Sequence, residues 1–92
     1  MKEKTVRVVA RIVALPERAG ELQAVLLALV EPTRREKGCI SYQLLQNTAR
    51  PGEFVFVEEW ADDAAIQAHM GAPHIQAAFA SAKSLLASPP AG

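Results

Sequence analysis

The seven residues FVFVEEW, Phe54–Trp60, decide the fold that this sequence predicts. Aromatic and β-branched side chains favour a β-strand, and successive residues of a strand point to opposite faces. Phe54 and Phe56 therefore share one face, and Val55 and Val57 share the other. A strand that is apolar on both faces must be covered twice. We expect the chain's own helices to cover one face and a second copy of the chain to cover the other.

Two further strands and a helix are predicted before this segment. Alternating apolar residues predict a strand over Thr5–Leu15, and another strand is expected over Ile40–Gln46. Between them, apolar residues at helical spacing predict a helix from Glu17 onward. Pro32 should kink or break this helix, because its ring clashes with the preceding turn. Gly38 is suited to follow the end of the helix.

Two shorter helices are predicted after the third strand. Asp62 or Asp63 is suited to cap a helix that reaches about Met70, and Pro73 is suited to the first turn of the next helix. The order β-α-β-β-α-α is most of a ferredoxin-like split βαβ unit, which is an α+β fold. Ser88–Gly92 is expected to be a frayed tail, which leaves too little chain for a full final strand. One domain is expected over residues 1–92.

The composition restricts the class of protein. Of the 92 residues, 50% are hydrophobic, and ten Lys and Arg balance ten Asp and Glu. A net charge of zero lacks the basic surface that nucleic-acid binders need. No apolar run approaches the roughly 20 residues that span a membrane, and the first residues lack a signal-peptide core. Because Cys39 is the one cysteine, no internal disulfide can form. We expect a soluble, cytoplasmic protein that binds neither nucleic acid nor membranes.

A few polar side chains lie on otherwise apolar elements. Glu58 and Trp60 share one face of the third predicted strand. A carboxylate is rarely buried alone. Glu58 therefore either pairs with Arg7, with Arg11 or with an arginine of a second subunit, or it lines a cavity. Trp60 is suited to stacking on an aromatic ligand and equally to core packing. His69 is either a base that works near neutral pH or a packing residue.

Tyr42 adds a hydroxyl group on the strand face that it is expected to share with Ile40. A metal site is not expected, since His69 and His74 are five residues apart with Pro73 between them. One helical face cannot present both histidines, and no third ligand is evident. The sequence also lacks a glycine-rich phosphate loop. We therefore expect no cofactor.

Three segments can be compared together with known families. They are EPTRREKGCISY at residues 31–42, FVFVEEW at 54–60 and AHMGAPH at 68–74. In this order they resemble the antibiotic biosynthesis monooxygenase family, whose members are small dimeric α/β-barrel proteins. The similarity extends from about Val6 to Phe79. It implies a homodimer with a dimeric α/β-barrel architecture.

The resemblance also implies a reaction. Members of the family include cofactor-independent monooxygenases, which oxidise a small phenolic, quinol or anthrone-type substrate with O₂. Such a substrate supplies its own electrons, so that the protein needs neither metal nor flavin. By resemblance and position, His69 would be catalytic, Trp60 would form a stacking wall, and Glu58 and Tyr42 would support the substrate. Haem-degrading members carry a Trp at the position of His69, so haem is not expected.

Two other functions remain open from the sequence. One is a non-catalytic homodimer that binds a small aromatic or carbonyl compound. The other is an isomerase-like enzyme that uses His69 to enolise a small oxygenated metabolite without O₂. Oxygen uptake distinguishes a monooxygenase from both, and turnover under nitrogen distinguishes the isomerase from the binding protein.

Overall fold

Three antiparallel strands form the sheet of the computed structural model, which describes residues 4–87. The strands are β1 (Val6–Val13), β2 (Cys39–Gln46) and β3 (Glu53–Trp60). β3 lies in the middle, so that the spatial order is β1-β3-β2. This arrangement is an α+β ferredoxin-like split βαβ unit and confirms the predicted fold class. The predicted tail, residues 88–92, lies outside the described residues.

The helices of the described part of the chain follow the predicted positions closely. They are α1 (Ala19–Leu27), α2 (Val30–Arg34), α3 (Asp63–Met70) and α4 (Pro73–Ala82), with a short 3₁₀ turn at Pro16–Arg18 before α1. The predicted first helix is broken between α1 and α2. Pro32 causes this break, because its ring clashes with the carbonyl four residues earlier, that of Ala28.

Two local features position α3: a cap at its first turn and a close approach by Gly38. Asp62 caps the helix, since its Oδ1 accepts a hydrogen bond from the backbone N–H of Ala65 at 2.9 Å. Gly38, between α2 and β2, has φ of 87°. A Cβ atom on Gly38 would lie 2.5 Å from the Cβ of Ala65. Only glycine allows this backbone conformation and this close approach, which holds the segment after α2 against α3.

The two faces of the sheet differ in their cover. The inner face is defined by Phe54, Phe56, Glu58 and Trp60 of β3, all of which are buried beneath the helices. The outer face is defined by Val55 and Val57 of β3, Val9 of β1 and Leu45 of β2. Their registers pair Val9 with Val57 and Leu45 with Val55. The prediction that β3 is apolar on both faces is confirmed.

A β-bulge changes the start of β2. Cys39 pairs with Trp60 and Ser41 pairs with Glu59, so that Ile40 is an extra residue without a partner on β3. Ile40 is therefore 53% exposed. The expectation that it shares the face of Tyr42 is wrong, because the bulge interrupts the two-residue alternation.

The chain returns to the free edge of β1 after α4. Leu86 forms an antiparallel bridge with Ala14, and the N–H of Ala87 donates to the carbonyl of Val13 at 2.8 Å. This is the edge at which a fourth strand would extend the sheet. Within residues 4–87, the contact is a single bridge.

No helix between residues 4 and 87 is long and apolar enough to cross a membrane.

Candidate active site

A cavity of about 970 Å³ lies between the inner face of the sheet and the helices. Its wall is mostly apolar, with residues from β1, α1, α3 and α4. The residues with polar side chains that line it are Tyr42, Glu58, His69 and Lys83. Met70, Phe79 and Lys83 are exposed and stand at its mouth. An apolar cavity with few polar groups is the usual form of a small-molecule site.

β2 and β3 bring Tyr42 and Glu58 together. The two residues are directly paired across these antiparallel strands, so both side chains reach the inner face. Glu58 Oε1 accepts a hydrogen bond of 2.8 Å from the indole Nε1–H of Trp60. Burial raises the pKa of Glu58 above its ordinary value, although the bond from Trp60 acts in the opposite direction. Burial and the nearby Glu58 carboxylate raise the pKa of Tyr42.

Glu58 does not pair with the arginines of β1. Arg11 donates to Glu53 at 2.5 Å, and Arg7 lies opposite Glu59. Both arginines are on the outer face, because they alternate with the inward residues of β1. The expected ion pair between Glu58 and Arg7 or Arg11 is therefore wrong, and Glu58 is one of the residues that line the cavity.

α3 places His69 in the wall of the cavity. The side chain is buried, and its ring centroid lies 4.6 Å from that of Trp60 and 5.7 Å from that of Tyr42. His69 Nδ1 is 2.8 Å from Oε2 of Glu36. A carboxylate can only accept hydrogen bonds, so with Glu36 ionised the proton of neutral His69 is on Nδ1. Nε2, which forms no hydrogen bond among residues 4–87, then keeps its lone pair.

Trp60 does not lie where a residue that stacks on a bound ligand is expected. It is fully buried, with no exposed surface, and it is not part of the cavity wall. Its ring packs behind His69, and its N–H holds Glu58. With no exposed surface, the indole offers no free face for a ligand to stack on in this structure.

Glu36 and His74 are site residues that the sequence reasoning did not assign. Glu36 Oε2 lies 2.7 Å from His74 Nε2, and this nitrogen lies 3.2 Å from the hydroxyl of the fully buried Thr33. All three residues lie inside the segments 31–42 and 68–74 that carry the family resemblance. The resemblance therefore pointed to the segments that contain these residues. The spacing of Glu36 and His69 along the chain, however, does not show that they meet.

Glu36 is a third potential metal ligand beside the two histidines, which the sequence did not reveal. His69 and His74 are presented by two helices, α3 and α4, and their rings are 6.4 Å apart. Glu36 supplies a carboxylate, and one ligand atom from each of the three residues lies within 4.8 Å of the others. Pro73 starts α4 and so turns the chain back between the histidines, which lets both reach Glu36.

Residues 5–81 match the sequence profile of the family described as "Antibiotic biosynthesis monooxygenase". The chain belongs to this family. Its relatives include Rv0793 of Mycobacterium tuberculosis, named as a candidate monooxygenase, which is 41% identical over 69 residues. That alignment covers 75% of this chain and 67% of the relative. YcnE of Bacillus subtilis, also named as a candidate monooxygenase, is 34% identical over 80 residues, covering 87% of this chain and 84% of YcnE.

Solved structures of family relatives have the same fold. The structure of Rv0793 has a TM-score of 0.89 at 36% identity, and the superposition covers 96% of this chain and 89% of Rv0793. PA3566 of Pseudomonas aeruginosa has a TM-score of 0.89 at 33% identity, covering 99% of this chain and 92% of PA3566. Membership and these names support a monooxygenase-like role. The roles predicted for Tyr42, Glu58, Trp60 and His69 remain predictions.

Proposed function

We propose that this chain is a monooxygenase that oxidises a small phenolic, quinol or anthrone-type substrate with O₂, without metal or flavin. The observation that carries the proposal is the environment of His69. Its ring lies in the wall of an apolar cavity, and Glu36 holds Nδ1 at 2.8 Å. This bond leaves Nε2 as the proton acceptor and stabilises the imidazolium that forms when the acceptor takes a proton.

The cavity suits an aromatic substrate of limited size. Tyr42 and Phe56 stack on each other with ring centroids 4.8 Å apart and line one wall, while Phe79 stands at the mouth. Aromatic rings are favoured partners for a flat, electron-rich ligand. The raised pKa of Tyr42 keeps its phenol protonated, so that it can donate a hydrogen bond to a substrate oxygen. The aromatic surfaces position the ring, and the polar groups position its oxygen atoms.

His69 starts the reaction by removing a proton from the substrate. For an anthrone, Nε2 takes one proton of the reacting CH₂ group, and the resulting carbanion passes one electron to O₂. The carbon radical and superoxide combine and form a C–O bond. The remaining C–H hydrogen then leaves with the outer oxygen and the first proton as water, which produces the carbonyl group. The substrate supplies all four electrons, and O₂ gives one atom to the product and one to water.

The protein's contribution is proton transfer, positioning and exclusion of water. A positioned base contributes about 10²–10⁴-fold to a rate, and an apolar wall strengthens the charge interactions inside the cavity. Trp60 supports this arrangement indirectly, since it packs against the ring of His69 and holds Glu58 in place. We therefore assign Trp60 as a positioning residue.

An oxygen electrode tests the proposal. Protein treated with a chelator is mixed with a series of quinols and anthrones, and we expect substrate-dependent O₂ uptake of one equivalent per product. With ¹⁸O₂, one labelled atom should enter the product. Conversion under nitrogen would support the isomerase alternative instead. Binding without conversion would support the non-catalytic alternative.

We also propose that two copies form a homodimer through their outer faces. Val9 and Leu45 on this face are 55% and 50% exposed, and they adjoin Val55 and Val57. Contiguous apolar surface of this kind marks an interaction site. We further propose one domain over residues 1–92 and a cytoplasmic location, which the free thiol of Cys39 supports.

A further inference from the structure

Glu36, His69 and His74 form a cluster that the proposed reaction uses only in part. The three side chains come from the segment after α2, from α3 and from α4. They are 14%, 6% and 25% exposed, respectively. Both imidazole rings direct a nitrogen at the same carboxylate oxygen, at 2.8 and 2.7 Å. The arrangement therefore brings three potential metal-ligand atoms to one point below the cavity wall.

We propose that a divalent transition-metal ion of the zinc class binds to Glu36, His69 and His74 in place of the two hydrogen bonds that now join both imidazoles to the carboxylate. Two imidazoles and one carboxylate are an established zinc ligand set, with a fourth position for water. The hydroxyl of Thr33, 3.2 Å from His74 Nε2, is placed to hold that water. The partly exposed edge of His74 gives the ion a route from solvent.

The ligand atoms must shift slightly when the ion enters. Present N–O separations are hydrogen-bond lengths, whereas ligand atoms about 2.0–2.2 Å from a tetrahedral ion lie about 3.4 Å apart. The ligand atoms already lie within 4.8 Å of one another, so shifts of about 1 Å are sufficient. Each imidazole must also turn its coordinating lone pair to the ion, so the proton on that nitrogen moves to the other ring nitrogen.

Metal binding has a consequence for His69. A neutral imidazole carries one proton, and an ion on Nδ1 forces that proton onto Nε2. Nε2 then donates a hydrogen bond and no longer accepts a proton from a substrate. Zinc should therefore inhibit the oxygenation. This consequence rests on the proposed function, whereas the binding itself does not.

Calorimetric titration of metal-free protein with Zn²⁺ tests the binding. We expect one ion per chain, and a His74→Ala variant should bind at least 10-fold more weakly. Glu36→Gln keeps the shape and a hydrogen-bond acceptor but loses the charge, so it should weaken binding comparably even if His74→Ala does not fold. Glu31→Gln, an exposed change on α2, is the matched control and should bind like the unaltered chain. Binding below one equivalent, or affinity that neither variant lowers, would overturn the proposal.

Cobalt provides a second readout of the same site. Co²⁺ bound to these three residues should absorb visible light as a tetrahedral complex, and Zn²⁺ should displace it. An octahedral spectrum that His74→Ala leaves unchanged would contradict the assignment.

Oxygen uptake tests the consequence for His69. Zn²⁺ should lower the rate over the concentration range in which it binds, and a chelator should restore it. Relative to its own metal-free rate, His74→Ala should need at least 10-fold more zinc for the same inhibition. Full turnover with zinc bound would disprove the loss of the acceptor nitrogen. If no tested substrate consumes oxygen, the proposed function fails, and the calorimetric result still decides the metal site.

Discussion

The two faces of β3 differ in how far the helices of the same chain cover them. On the inner face, Phe54, Phe56, Glu58 and Trp60 are 1%, 3%, 7% and 0% exposed, because the helices of the same chain cover them. On the outer face, Val55 and Val57 are only half-buried. Within one chain, β3 therefore has one covered face and one partly exposed face.

The two faces also differ in how their polar side chains are paired. Polar groups are tolerated on the inner face because each has a partner: Trp60 holds Glu58, and Glu36 holds His69. Among the described residues, every side-chain nitrogen or oxygen atom that has no accessible surface of its own forms a hydrogen bond. Charged residues on the outer face, such as Arg11 and Glu53, pair at its edge and leave an apolar centre. The inner face thus has its cavity within one chain, whereas the outer face is the surface through which we propose that two chains pair.

The largest expected effect is the loss of the proton acceptor on the inner face. We expect His69→Ala to lower turnover per folded molecule by about 10²–10⁴-fold, with stability reduced by only about 1–2 kcal/mol. Oxygen uptake and the melting temperature are measured on the same preparation, with chelator present.

Met70→Ala is the control for this change, since Met70 is the next residue and lines the same cavity. It removes volume but no proton acceptor, so the rate should change by less than about 10-fold. Unchanged turnover in His69→Ala with a lowered melting temperature would assign His69 to packing alone. The non-catalytic binding reading would then be favoured.

A charge placed on the outer face should break the proposed dimer. Val9→Lys would bury an ammonium group at the centre of the interface, and such central changes cost about 2 kcal/mol or more. The dimer dissociation constant should therefore rise on the order of 30-fold or more, as measured by sedimentation over a range of protein concentrations. Leu27→Lys is matched in exposure, since Val9 and Leu27 are both 55% exposed, but Leu27 lies on α1. It should leave the dimer intact. Equal effects of the two changes would contradict an interface on the outer face.

The smallest expected effect is on folding stability. It compares Glu58, on the inner face, with its neighbour Glu59, on the outer face. The pKa of Glu58 is raised from 4.5 in the folded state. Below pH 4.5 the group is protonated in both folded and unfolded chains and carries no penalty. As the pH rises through the raised pKa, the buried group ionises at a cost, so folding stability falls.

Glu58→Gln should therefore increase stability at neutral pH by about 0.5–2 kcal/mol, and this gain should disappear at acidic pH. Gln retains an oxygen that accepts the bond from Trp60. Glu59→Gln is the control on the outer face, where Glu59 accepts a bond from Thr5, and it should change stability by less than about 0.5 kcal/mol. Urea unfolding at several pH values, at one protein concentration, measures both. A Glu58→Gln gain that persists at acidic pH would have a cause other than ionisation.

Local signals predicted the elements of this fold well. Alternation located β1 and β3, Pro32 located the break between α1 and α2, and Asp62 located the start of α3. These signals act over a few residues, because sterics and backbone hydrogen bonds set them. The bulge at Ile40 was missed, since an extra residue in one strand is defined only by its pairing with the neighbouring strand.

For the candidate site, the sequence likewise predicted the local placement of residues and not their contacts. The sequence by itself determined that Tyr42, Glu58 and Trp60 lie on one sheet face, because strand geometry fixes the face of every second residue. It also placed His69 on a helix after the third strand.

Only the tertiary structure decided which groups meet. Glu36 is 33 residues from His69 and 38 from His74 along the chain, and no local rule connects them. The break at Pro32, the close approach of Gly38 to Ala65 and the turn before α4 together bring these side chains to one point. Packing likewise placed Trp60 behind His69 rather than in the cavity wall. Contacts of this kind depend on how whole elements pack, since burial and close packing act between residues that are distant in sequence.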